Sequence, residues 1–111
     1  MLLPDIRISA VQTNLIWENR DANLKMLENK IVALRGQTDI VVLPEMFTTG
    51  FSMNPATLSE PLEGRTMKWM KRVAAENRVV LTGSLMIEDE GTYFNRMIWM
   101  LPDGNYGEYN K

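Results

Sequence analysis

The chain has 111 residues, no cysteine and no histidine, and its 12 Lys+Arg against 14 Asp+Glu leave a net charge of −2. That length and a 45% hydrophobic content fit one small globular domain with a real core. The scattered charge leaves no footprint for nucleic acid or an anionic membrane, and the composition excludes disulfides, thiolate zinc sites, a cysteine nucleophile and the commonest general base within these residues.

The opening Met1-Leu2-Leu3-Pro4-Asp5 has no basic region and no long apolar stretch, so no signal peptide is expected. The longest unbroken apolar run, Ile40 to Pro44, is far too short for a bilayer, and the expected location is the cytoplasm. Ile6 to Gln12 alternates, with Ile6, Ile8 and Ala10 on one side, which predicts a strand with one buried face. Between Asn19 and Leu34 the period changes. Leu24, Leu27, Ile31 and Leu34 form one helical stripe, and Gly36 is the expected C-cap. Thr38 to Pro44 is a continuous apolar run with β-branched residues, expected to be a strand buried on both faces. Strand, helix and strand in this order favour parallel pairing.

Glu45 to Gly64 carries Gly50, Pro55, Pro61 and Gly64 and reads as a loop, long enough to suggest an active-site region. Arg65 to Asn77 predicts a helix with Met67, Met70, Val73 and Ala74 on one stripe. Val79 to Ser84, Tyr93 to Leu101 and Tyr106 to Asn110 read as strands, the last two joined by a turn at Pro102-Asp103-Gly104-Asn105. The order is β-α-β-loop-α-β-β-β, an α/β fold.

Glu45 is the most informative position. It follows a buried strand, where ligands of α/β folds bind. Partial desolvation by Met46 and Phe47 is expected to raise its pKa toward the working range of a general base. The bland alternative is a strand-end Glu that meets water or an Arg. Lys111 closes a strand and on its own reads as a solvated gatekeeper. Glu88-Asp89-Glu90 ahead of Gly91 reads as a solvated hairpin tip rather than a metal site. No GxGxxG, Walker lysine or GxSxG pattern is present, and Trp17, Trp69 and Trp99 are not spaced as a stacking platform. The nine methionines read as core filler.

Leu43-Pro44-Glu45-Met46-Phe47-Thr48-Thr49-Gly50-Phe51 resembles the carbon–nitrogen hydrolase (nitrilase) superfamily. Ala10-Val11-Gln12, Gly83-Ser84, Tyr93-Phe94-Asn95-Arg96, Pro102-Asp103-Gly104 and Tyr109-Asn110-Lys111 follow in the family's order, so the resemblance spans essentially the whole chain. The wording around Glu45 is most similar to the bacterial omega-amidase branch, which hydrolyses ω-amides of 2-oxo dicarboxylic acids.

The resemblance implies an α-β-β-α sandwich, of which residues 1–111 would be the N-terminal portion. It implies a Glu-Lys-Cys triad in which Glu45 is the general base and Lys111 stabilises the oxyanion. The nucleophilic cysteine would lie beyond Lys111, so this chain alone is expected to be inactive. No cofactor or metal is implied. A small amide substrate is expected, with a homodimer and without nucleic acid or membrane. Half of such a sandwich would leave an apolar sheet face bare, so the 111 residues alone are expected to dimerise, misfold or order only with the remainder. The competing readings are a free-standing, non-catalytic α/β module that binds a small molecule or a partner, and another branch of the same family, a nitrilase proper or a carbamoylase.

Overall fold

A computed structural model describes residues 5–111; the leader reading at residues 1–4 lies outside them. The elements run β1 (Ile8–Ala10), α1 (Arg20–Ala33), β2 (Ile40–Val42), α2 (Pro55–Leu58), β3 (Glu60–Pro61), α3 (Arg65–Asn77), β4 (Val80–Asp89), β5 (Thr92–Met100) and β6 (Tyr106–Asn110). They form one mixed sheet in the order β1-β2-β4-β5-β6, with β3 paired to the far end of β4. β1, β2 and β4 are parallel, and β4, β5 and β6 are antiparallel. The expected parallel strand-helix-strand unit is present.

The register sorts the side chains by face, because residues directly opposite in neighbouring strands point the same way. Val41, Leu81, Leu85, Ile98 and Met100 point to one side and are fully buried. Both long helices pack there. α1 contributes Leu24, Leu27 and Ile31, and α3 contributes Met67, Met70, Val73 and Ala74, the two expected stripes. Ile8, Ile40, Val42, Thr82, Ser84, Met97, Trp99 and Tyr109 share the other side. Within the described residues no helix covers that side: Ile8 is 63% exposed, Trp99 41% and Tyr109 68%.

This asymmetry corrects two expectations. Ile6 and Ile8 are not buried, because they belong to the uncovered face. β2 is buried on the helix side through Val41, whereas Ile40 and Val42 are only half-buried. Two further corrections are local. Gly36 does not cap α1; Leu34 does, and Gly36 takes φ +80° in the turn beyond it. The stretch after Glu45 is not structureless, since it holds α2 and β3.

β3 has a specific task. Gly64 starts α3 without a side-chain cap. The buried carboxylate of Glu60 fills that gap, accepting from the Thr66 backbone N–H at 2.8 Å and from the Thr66 hydroxyl. α1 is capped by Asn19, whose side chain accepts from Ala22 N–H at 3.1 Å. Asn23, fully buried in α1, holds the Ile16 backbone N–H and O and the Thr48 carbonyl. It thereby ties the segment before α1 to the loop that follows Glu45. Among the described residues no helix is long and apolar enough to cross a membrane.

Candidate active site

Glu45 stands just beyond the carboxyl end of β2, and the backbone on both sides of it is anchored to β4. Leu43 N–H donates to the Thr82 carbonyl at 2.7 Å, and Phe47 N–H to the Ser84 carbonyl at 3.1 Å. Met46 N–H donates to the buried Ser84 hydroxyl at 3.0 Å. Met46 takes φ +49°, a left-handed conformation that few side chains adopt unaided, so Ser84 holds a strained link beside Glu45. Phe47 drives this loop onto the sheet. Its ring lies so close to Gly83 that a Cβ there would stand 2.7 Å from Phe47 Cδ1. Gly83 is thus a close-approach glycine inside a strand.

Lys111 directly follows β6, and its backbone N–H donates to the Asn95 carbonyl at 2.9 Å. Its ammonium reaches Glu45: Nζ donates to Oε1 at 2.6 Å. Asn95 Nδ2 donates to the same oxygen at 3.2 Å. Among the described residues none donates to Glu45 Oε2. The sequence places these three groups on three separate elements, and the fold brings them to one point. A cavity of about 200 Å³ opens beside them, bounded by Val42, Thr82, Ser84 and Met97 as well as Glu45 and Lys111.

The expected electrostatics of Glu45 are reversed. The hydrogen bond from the Lys111 ammonium holds its carboxyl below the ordinary value of 4.5; desolvation pushes the other way, and the Asn95 amide and the lysine charge add to the lowering. Met46 and Phe47 are buried, while the Glu45 side chain remains 37% exposed. Glu45 is therefore ionised at neutral pH and can only accept hydrogen bonds. Lys111 spends one ammonium N–H on it and retains two.

The other candidates separate from this point. Glu88 accepts from Gly91 N–H at 2.9 Å, and Asp89 pairs with Arg96 at 3.0 Å, so the acidic run builds a hairpin end. A larger groove of about 580 Å³ lies between α1 and α3 on the opposite side of the sheet. Two ion pairs cross it, Arg65 with Asp21 at 3.0 Å and Arg72 with Glu28 at 2.8 Å, and Lys25 and Lys68 line it as well. It is a solvated ion-pair surface, and the geometry favours the smaller cavity at Glu45. Sequence reasoning missed Asn95 and Ser84 as site residues. Both lie in segments that carry the family resemblance, Gly83-Ser84 and Tyr93-Phe94-Asn95-Arg96, and both are polar on strands otherwise rich in large apolar side chains.

The carbon-nitrogen hydrolase family profile matches residues 7–111. The Escherichia coli K12 protein "Omega-amidase YafV" is 31% identical over 109 residues, covering 98% of this chain and 42% of that protein. A Bacillus subtilis "2-oxoglutaramate amidase" is 27% identical over 92 residues, covering 81% of this chain and 36% of that protein. Among solved structures, a CN-hydrolase superfamily protein from Xanthomonas campestris superposes with a TM-score of 0.93 at 37% identity, covering 98% of this chain and 41% of that one. The chain thus spans about two fifths of the length of the Escherichia coli and Xanthomonas campestris proteins.

Proposed function

Because the chain belongs to the carbon–nitrogen hydrolase family, we propose that it is the N-terminal portion of an amidase that cleaves small ω-amides of 2-oxo acids through Glu45, Lys111 and a cysteine supplied by the rest of the protein. The observation that carries this reading is the 2.6 Å contact between Lys111 Nζ and Glu45 Oε1 at the carboxyl end of a parallel strand. A base and a fixed cation side by side suit attack on an amide carbonyl.

In this reading Glu45 Oε2, the oxygen without a donor, takes the thiol proton as the sulfur attacks the amide carbon. Lys111 uses its free N–H groups on the oxygen that becomes negative. Collapse of the tetrahedral intermediate expels ammonia, which receives the proton from Glu45, and leaves a thioester. Water, deprotonated by the same carboxylate, then attacks the thioester and releases the acid and the thiol. A free thiol is a far weaker acid than this carboxyl, whose pKa Lys111 lowers further, so the first transfer is uphill. The adjacent ammonium narrows that gap by favouring the thiolate.

The remainder of the protein has a second task. The cavity of about 200 Å³ is smaller than the roughly 300–1,000 Å³ of ordinary ligand sites. The uncovered sheet face beside it is where the missing wall would pack. A free-standing binding module has no support in these similarities.

The test is a substrate panel on the full-length protein. Ammonia release from 2-oxoglutaramate is expected to exceed turnover of simple nitriles and of N-carbamoyl amino acids. Activity on nitriles alone would sink the omega-amidase reading while keeping the family.

A further inference from the structure

We propose that Asn95 is a positioning residue for the Glu45–Lys111 pair, fixing the carboxylate with its side chain and the lysine with its main chain. The inference rests on the catalytic reading of that pair and goes beyond it by assigning a third residue. Among the described residues Asn95 is the one bonded to both partners: Nδ2 to Glu45 Oε1 at 3.2 Å, and its carbonyl to Lys111 N–H at 2.9 Å. It lies on β5 on the uncovered face, opposite Met86 of β4.

Its neighbour holds it there. Arg96 points to the other face, where its buried guanidinium bonds Asn110 Oδ1 at 2.6 Å and Asp89 at 3.0 Å. The clamp spans β4, β5 and β6 and fixes the last rung before Lys111.

The amide's two ends are unequal. Nδ2 faces the carboxylate, whereas Oδ1 is buried with no hydrogen-bond partner among the described residues. Flipping the amide would set its oxygen against the carboxylate oxygen, so the charge on Glu45 dictates the orientation. Asn95 therefore aims Oε1 and leaves Oε2 open. It also favours the ionised form of Glu45, because an N–H donor stabilises the charged carboxylate. Among the described residues Lys111 is the only other charged group lining the cavity with Glu45.

The test compares wild type, Asn95→Ala, Asn95→Asp and Glu45→Gln in the full-length protein, using 2-oxoglutaramate across pH with melting curves alongside. Asn95→Ala is expected to lower kcat by about 10- to 100-fold with KM nearly unchanged, the cost of a misaimed catalytic group. Asn95→Asp keeps the shape but sets a second carboxylate beside Glu45. It is expected to move the acid limb of kcat/KM upward by about one pH unit. A kcat for Asn95→Ala within twofold of wild type would overturn the proposal. So would losses in both Asn95 variants that track the unfolded fraction with the acid limb unmoved. If Glu45→Gln is inactive while Asn95→Ala is normal, only the positioning role fails; if Glu45→Gln is itself active, the catalytic reading beneath it fails.

Discussion

Glu45→Gln in the full-length protein is expected to lower kcat by about 10²–10⁴-fold while leaving the fold intact, as for loss of a general base. The isosteric amide can present its oxygen to Lys111 Nζ and Asn95 Nδ2, so both bonds to Oε1 have an acceptor. The lost function is proton uptake at the second position, where an N–H₂ group replaces a carboxylate oxygen. The side chain is more than a third exposed, so its melting temperature should stay close to that of wild type. The pH profile adds a signed check. Lys111 holds the Glu45 carboxyl below 4.5, so in the wild type the base is still ionised at that pH. The acid limb of activity should therefore lie at lower pH than an unpaired glutamate would give, and residual activity in the Gln variant should lack that limb. Unchanged turnover would remove Glu45 from the mechanism.

Lys111→Ala is expected to cost about 10²–10³-fold in kcat, the usual loss when one oxyanion donor is removed. The same substitution frees Glu45 from its cation. The carboxyl then returns toward its ordinary value, and the acid limb moves to higher pH. Two linked changes, a slower rate and a shifted limb, distinguish this lysine from a solvated strand-end residue, whose loss would alter neither. Lys111→Arg keeps the charge but brings a planar fork in place of a compact ammonium, so it should recover only part of the rate.

Elements defined by local periodicity were legible in the sequence. α3 runs over Arg65–Asn77 as its stripe predicts, and β6 covers Tyr106–Asn110. β4 is the instructive contrast. Gly83-Ser84 resembles a strand end, yet the strand continues to Asp89. The glycine is there because Phe47 packs onto it from another element. α2 and β3, with four and two residues, are too short to show a period.

The site was legible in its members and not in its electrostatics. The strand end and the family resemblance pointed to Glu45, and only the resemblance to Lys111. The direction of the Glu45 pKa depends on a lysine 66 positions away and an amide 50 away. No local pattern encodes those contacts. The bare face has the same origin. Alternation at Ile6 and Ile8 marks an apolar side, which no helix covers among the described residues.

The most direct measurement is a crystal structure of the full-length protein. The account predicts a cysteine from the remainder of the chain with its sulfur about 3–3.5 Å from Glu45, beside Lys111, in a cavity closed by a second layer over Ile8, Met97 and Trp99. A structure with no cysteine at that point, or with Glu45 and Lys111 drawn apart and both open to solvent, would contradict it.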